Sequence, residues 1–321
     1  EGSMTLAEIA EKLKALKSAV IFCHMRPDGD AIGAAMGLKR LLSGCGVACS
    51  VACESAIPEK FKFLPGTEEF SAPLQKDAEA FIAVDSSDEN RLGRYGELFA
   101  KAKKVKFNID HHISNTRFAD HNYVEDAAAA SEIVTRLSEF FGGVHDPLTA
   151  NFLMMGLSSD TGNFAHKNVT ADTFRAAAYL AERGADVNLI QYNMFKKQSR
   201  ERAKLFGDTM AKIRYFEDGA IAFIAVTAED LARTGATSDM TEGFIDFPLG
   251  VDGVEVAACL LETGHKKFKI SLRSKGRANV NEIAAVYGGG GHVLASGCMI
   301  GGDLEEVVDK LRYTILQHLA E

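Results

Sequence analysis

The chain has 321 residues, 46% of them hydrophobic and 25% charged, an ordinary globular composition and length enough for two domains of about 100–200 residues each. Its formal net charge of −8 argues against long duplex nucleic acid as a partner, because such partners are gripped through broad basic surfaces. It contains no apolar run of about 18 residues, so a membrane span is not expected, and small anions held by a local basic patch remain open as ligands.

Glu1-Gly2-Ser3 ahead of Met4 reads as a tag remnant and is left out of the fold argument. Leu6 to Leu16 is amphipathic at helical spacing and does not resemble a secretory leader. Ala19 to Cys23 is a short apolar run, expected to be a buried strand. Ala31 to Leu42 reads as a helix closed by Gly44 and Gly46. Val47 to Cys53, Phe81 to Val84 and Val105 to Ile109 read as three more strands, mostly separated by helical segments. That alternation predicts βαβ units around a parallel sheet, an α/β fold. Ser131 to Phe141, Leu148 to Leu157, Thr170 to Glu182 and Leu189 to Phe195 are expected helices. The charged stretch from Phe195 to Arg202 marks a boundary, giving a first domain over 4–195, a linker over 196–203 and a smaller α/β domain over 204–321. In that last part Ala220–Val226, Val254–Leu260 and Lys267–Leu272 are expected strands, and Leu304 to Leu319 a closing helix. Cys23, Cys45, Cys49, Cys53, Cys259 and Cys298 form no CxxC pair and read as small buried hydrophobes in a reducing cytoplasm.

Three of the expected strands run into acidic or histidine-rich segments. The first leads to His24, Asp28 and Asp30, the third to Asp85 and Asp88, the fourth to Asp110-His111-His112. Sites on parallel sheets form beyond the carboxyl ends of the strands, so these clusters are expected to converge. Asp160 follows an apolar helix and is a further candidate. Taken singly, Asp28 or Asp85 would more often cap a helix, and a lone histidine would more often be structural. Their joint placement points instead to metal. Carboxylates and imidazoles without thiolates suit Mg²⁺ or Mn²⁺, with imidazole tilting the choice to Mn²⁺. So many ligands exceed the need of one ion with open positions. Two divalent cations about 3.5–4 Å apart, bridged by one carboxylate, fit better and suit in-line phosphoryl displacement.

These residues resemble the DHH phosphoesterase superfamily over nearly the whole chain. The motifs that carry the resemblance are His24 to Asp30, Val84 to Asp88, Asp110-His111-His112 with Asn115 shortly after, and Ser159 to Gly162. The C-terminal third resembles the associated DHHA1 domain through Gly288-Gly289-Gly290-Gly291-His292 and Ala295-Ser296-Gly297. The resemblance implies that His24, Asp28 and Asp85 hold one metal, and that Asp30, Asp85, His111 and Asp160 hold the other with Asp85 bridging. It places the catalytic His112 beside the metals, either orienting ligands or contacting the scissile phosphate. Asp110 and Asp88 would hold the histidines in place. Arg26 stands where many relatives carry asparagine, and either contacts substrate or faces solvent.

Lys267 to Arg273 alternates strictly, with Phe268, Ile270 and Leu272 expected to face the core. The resemblance makes Arg273 a phosphate contact, Gly289, Gly290, Gly291 and His292 a grip on the substrate, and Asn115 a further substrate residue. A glycine run also lets backbone N–H groups approach an anion. The resemblance implies hydrolysis of oligoribonucleotides a few residues long to mononucleotides, and of the nucleoside bisphosphate pAp to AMP, as in oligoribonucleases of the nanoRNase type. A cyclic-di-AMP or linear-dinucleotide phosphodiesterase is the alternative within the superfamily, and a nucleotide-binding sensor is the non-enzymatic one. The acidic charge and the lack of room for an added domain speak against a RecJ-like exonuclease, and the 288–292 loop against a family II pyrophosphatase. Relatives often form dimers, which makes a homodimer a further expectation.

Overall fold

A computed structural model describes residues 4–319; the remnant Glu1-Gly2-Ser3 and the last two residues lie outside the described residues. The chain divides into two compact units, the first ending at Lys197 and the second beginning at Gln198.

The first unit opens with α1 (Leu6–Lys14), started by a capping box in which Thr5 Oγ1 accepts from the Glu8 amide while the Glu8 side chain accepts from the Thr5 amide. Its sheet contains β1 (Ser18–Phe22), β2 (Ala48–Ala52), β3 (Ala80–Val84), β4 (Val105–Asp110) and β5 (His121–Val124). The order is β2-β1-β3-β4-β5, and every pairing is parallel. The central strands are apolar throughout because both faces are covered. On one face Phe22, Phe81 and Phe99 pack together, the first two edge-on with centroids 5.0 Å apart. On the other lie α2 (Gly29–Gly44), then, beyond α3 (Gly96–Lys101), α4 (Ala130–Leu137) and α5 (Pro147–Asp160). The unit closes with α6 (Ala171–Glu182) and α7 (Val187–Gln191).

Helices α2 and α5 approach with their backbones nearly touching. Gly29, Gly33 and Gly37 recur every fourth residue on one side of α2. A Cβ on Gly33 would lie 2.4 Å from the Phe152 carbonyl oxygen and 2.9 Å from the Gly156 nitrogen. A Cβ on Gly156 would in turn lie 1.9 Å from Ser131 Oγ. No side chain fits at these crossings, and neighbouring backbone cannot step aside cheaply.

Three expected elements differ. The helix expected over Ser131–Phe141 is α4 followed by a 3₁₀ turn, Ser138–Phe141, where Ser138 Oγ donates back to the Thr135 carbonyl 2.6 Å away. The helix expected over Leu189–Phe195 is α7 followed by a π turn, Tyr192–Lys196. Within the expected linker, Arg200 already begins α8 (Arg200–Met210), because Ser199 caps it by accepting from the Arg202 amide.

The second unit is a six-stranded mixed sheet of β6 (Arg214–Phe216), β7 (Ile221–Val226), β8 (Val256–Gly264), β9 (Lys267–Ser274), β10 (Gly290–His292) and β11 (Ala295–Gly301). Its order is β10-β11-β9-β8-β7-β6, antiparallel except for β7 with β8. One face is covered by α11 (Val280–Val286) and α12 (Leu304–His318), which follow α9 (Ala228–Thr234) and α10 (Asp246–Leu249) in the chain. Phe268, Ile270 and Leu272 are buried as their alternation requires. The glycine run is sterically determined: a Cβ on Gly289 would lie 2.2 Å from the Gly297 carbonyl oxygen, and one on Gly291 2.6 Å from that of Ala295. Among the described residues, no helix is long and apolar enough to cross a membrane. All six cysteines are free thiols.

The α2–α5 contact is expected to dominate stability locally. Gly33→Ala should destabilise the protein by about 1–3 kcal/mol through overpacking. Gly44→Ala, at the open end of the same helix where a Cβ meets nothing within 4 Å, should be neutral or stabilising by up to about 1 kcal/mol. Urea denaturation of the two variants checks both values.

Candidate metal centre

The carboxyl ends of β1, β3 and β4 and the end of α5 deliver their polar side chains to one edge of the first sheet. His24 leaves β1 with Nδ1 donating to the Met25 carbonyl 3.0 Å away, which aims Nε2 at Asp28 (3.6 Å) and Asp85 (3.4 Å). Asp28 caps α2 by accepting from the Asp30 and Ala31 amides at 3.0 and 2.9 Å. The expected capping role is thus present, and the same carboxylate faces His24.

Asp30 is fully buried in the first turn of α2. Its two carboxylate oxygens accept from the Ala130 and Ser131 amides, at 2.6 and 2.8 Å. They serve the N-terminus of α4, whose own cap position, Ala129, has no polar side chain to offer. Asp85 follows β3 in a left-handed backbone conformation, φ 50°, rare for a residue with a Cβ. Its amide donates to the Ile109 carbonyl, and its carboxylate stands between His24 and His111, with Oδ1 3.3 Å from His111 Nε2. His111 Nδ1 donates to the Ala127 carbonyl, and its Nε2 also lies 3.3 Å from Asp160 and 3.8 Å from Asp30. Both histidines therefore direct Nε2 into the carboxylates, with Nδ1 fixed by main chain.

Asp85 Oδ1 and His111 Nε2 are buried without a hydrogen-bond partner. Orphaned buried polar atoms are costly, and here they face each other across a set of carboxylates. Ligand atoms of His24, Asp28 and Asp85 lie within 4.8 Å of one another, as do those of Asp30, His111 and Asp160. The residues present therefore fit a divalent-cation site.

The electrostatics are those of a site built for positive charge. Burial alone would lower the pKa of His24, but hydrogen bonds to Asp28 and Asp85 outweigh it and carry it up to about 11. Burial likewise opposes the rise at His111, which Asp160 and Asp85 carry up to about 12. Burial would raise Asp85, yet His111 and His24 hold it below the usual carboxylate range. Asp30 is pushed up by burial and then by the charges of Asp160 and Asp85. Asp160, pushed up chiefly by burial, sits at the C-terminal end of α5, where the helix dipole also disfavours an anion. Without a cation, the protons on the imidazoles stand where a cation would.

His112 is placed differently. Its Nδ1 lies 2.7 Å from Asp110 Oδ1, and it is much more exposed than His111. Asp110 raises its pKa above the ordinary histidine value. Asn115 donates from Nδ2 to Asp110 Oδ2 at 2.6 Å and to Asn108 Oδ1 at 2.8 Å, while its Oδ1 accepts from the Arg117 amide. Asn115, expected as a substrate residue, has its side-chain amide engaged by Asp110, Asn108 and the Arg117 amide. Asp88 touches no histidine; it caps the turn Glu89–Tyr95 by accepting from the Asn90 amide. Asn108, buried in β4, holds the Ala83 and Ser86 carbonyls and was not singled out in the sequence. Its signal was a lone amide in an apolar strand.

The second unit holds the remaining expected residues. Arg273 lines a cavity of about 620 Å³ with Lys269 and Ser271 of β9 and residues of the 238–245 segment. His292 is exposed on β10. Three amides of the glycine run already donate inside the unit, those of Gly288 and Gly289 to main-chain carbonyls and that of Gly291 to Asn281. The run is therefore not an open cradle of amides.

Comparison with known proteins follows this geometry. Residues 18–157 match the model of the DHH family N-terminal domain, and residues 219–321 that of the DHHA1 domain. A bifunctional oligoribonuclease and PAP phosphatase NrnA of Thermus thermophilus is 31% identical over 318 residues, spanning 97% of this chain and 93% of that protein. The chain belongs to the DHH family. The Mycoplasma genitalium protein of the same name is 29% identical to this DHH protein, with 94% and 93% of the two chains covered. An exopolyphosphatase-related protein of Bacteroides fragilis superimposes with a TM-score of 0.83 at 26% identity, covering 97% of this chain and 95% of that one. With its donor set intact, this DHH protein is a metal-dependent phosphoesterase.

Because the surrounding carboxylates raise the pKa of His24 and His111, cation binding is expected to displace protons from them. Mn²⁺ titrations followed by calorimetry in buffers of different ionisation enthalpy should show proton release at neutral pH, with affinity rising as pH rises toward the histidine values. Asp85→Asn should lose most of both effects.

Proposed function

We propose that this chain is a two-cation phosphoesterase that cleaves oligoribonucleotides a few residues long to mononucleotides and removes the 3′-phosphate from pAp. The observation that carries the proposal is the pair of ligand clusters with Asp85 standing between His24 of one and His111 of the other, in a chain similar over nearly its whole length to proteins named for those two activities. His24, Asp28 and Asp85 would hold one cation; Asp30, Asp85, His111 and Asp160 would hold the other. Mn²⁺ suits this mix of carboxylate and imidazole. When bound, such a pair supplies a deprotonated water and neutralises phosphoryl charge.

The protein's own residues do the rest. Asp110 holds the Nδ1 proton of His112 and raises the pKa of the ring, which favours the form protonated at Nε2. That Nε2–H is the proton source for the departing ribose oxygen. Asn115 and Asn108 keep Asp110 from rotating. In the second unit, Arg273 and Lys269 present cations from one face of β9 for a substrate phosphate, and His292 adds a further donor. Short substrates need only such a local grip, which agrees with a net charge of −8.

The decisive assay incubates the Mn²⁺-loaded protein with RNA di- to pentanucleotides, a long RNA, pAp, cyclic di-AMP and pyrophosphate, and separates the products by chromatography. Mononucleotides from short RNA and AMP from pAp are expected, both abolished by Asp85→Ala. Cleavage of the cyclic dinucleotide alone would overturn the substrate assignment. His112→Ala should lower kcat by about 10²–10⁴-fold. The acid form of His112 is lost as pH rises through its raised pKa. Asp110→Asn should bring that pKa back toward about 6.5, moving the alkaline limb of the kcat profile to lower pH.

A further inference from the structure

A pocket of about 160 Å³ opens beside the first ligand cluster, lined by His24, Asp28, Asp85, Ser86, Ser87 and His112, and by one residue that none of the motifs contains, Arg91. The volume is too small for a nucleoside and of the order of a few water molecules, at about 30 Å³ each, so it suits a phosphoryl group.

Arg91 differs from most arginines of the first unit. Arg40 pairs with Asp146, Arg136 with Glu125 and Arg175 with Asp172; Arg94 and Arg183 stack on Tyr95 and Tyr179. The Arg91 guanidinium is exposed and, among the described residues, makes no hydrogen bond, ion pair or ring contact. Its backbone is fixed, however. The Arg91 amide donates to the Asp88 carbonyl at 3.2 Å, and its carbonyl accepts from the Met25 amide at 2.7 Å. That second bond ties the Arg91 turn to the loop carrying His24. A permanent cation is thus anchored at the mouth of the pocket with all its donors unspent.

We propose that Arg91 grips the phosphoryl group under attack from within the lining of this pocket. The guanidinium fork offers two parallel N–H donors to two phosphoryl oxygens and cannot be neutralised near neutral pH. The histidines and carboxylates of the pocket are committed to cations and to one another, which leaves Arg91 to take the equatorial oxygens. The inference rests on the phosphoesterase reading above, but it is also open to a test without turnover.

Inorganic phosphate is titrated calorimetrically into the Mn²⁺-saturated protein, wild type and variants. Arg91→Ala should weaken phosphate about ten- to hundred-fold, as expected for loss of a charge-assisted hydrogen-bond pair, while Mn²⁺ binding stays unchanged. Arg91→Lys should recover part of the loss. Arg117→Asn removes an equal charge from a neighbouring exposed loop, at a position with φ 54° that asparagine tolerates, and should change phosphate affinity less than two-fold. With pAp and with bis(p-nitrophenyl) phosphate, which has no second phosphate, Arg91→Ala should lower kcat/KM by similar factors. A phosphate affinity within two-fold of wild type in Arg91→Ala would overturn the inference, as would a loss confined to pAp. Arg91-dependent phosphate binding with no ester cleaved by the wild type would sustain the site and reject the phosphoesterase reading.

Discussion

Everything at the catalytic edge depends on how closely α2 can approach α5. Asp30 stands in the first turn of one helix and Asp160 in the last turn of the other, and both point at His111. A side chain at Gly33 would drive α2 from the α5 backbone, and one at Gly156 would press on Ser131 of α4 and on the Asp30 carboxylate itself. The same approach seats Asp30 against the N-terminal amides of α4. Three helices are therefore locked by contacts that leave no volume to relax into, and the polar cluster inherits their rigidity.

The sheet supplies the complementary constraint. Parallel strands in register bring the residues after Phe22, Val84 and Asp110 to one edge, and main-chain bonds stitch their loops together: Met25 to Arg91, Asp85 to Ile109, Thr116 to Ser87. The left-handed backbone at Asp85 is held by these bonds and turns its carboxylate toward two histidines at once. Concentrating negative charge this way is unfavourable by itself. The carboxylates raise the pKa of both histidines, the same pull that such a cluster exerts on any positive charge.

The first unit was largely legible in the sequence because its strands are continuous apolar runs and its site residues follow directly from them. β5 escaped notice: His-Asn-Tyr-Val is polar, partly exposed and carries no alternation. The second unit was half legible. β7, β8 and β9 carry apolar or alternating patterns, whereas β10 is Gly-Gly-His and is a strand only because β11 lies beside it. The residues that gather at the sheet edge could be named from motifs, and so could Asp110, which holds His112, but the other supports could not. Asn115, expected at the substrate, also spends its side-chain amide on Asp110 and Asn108, which no motif announced. Asp88 looked like a histidine partner and is a turn cap. Arg91 carried no signal, since an arginine in a turn is ordinary until the pocket beside it is known.

Asp28 and Asp30 each hold up a helix end with the same carboxylate that faces the cluster, Asp28 at α2 and Asp30 at α4 across about a hundred residues of chain. Drift that silences the chemistry at either position also unravels architecture. A lineage turning this scaffold into an inert nucleotide receptor would meet that obstacle at once, and would have to rebuild a helix start elsewhere. On the acid role proposed for it, substitution at His112, which supports no helix, carries no such burden and is the easier road to an inactive but intact descendant.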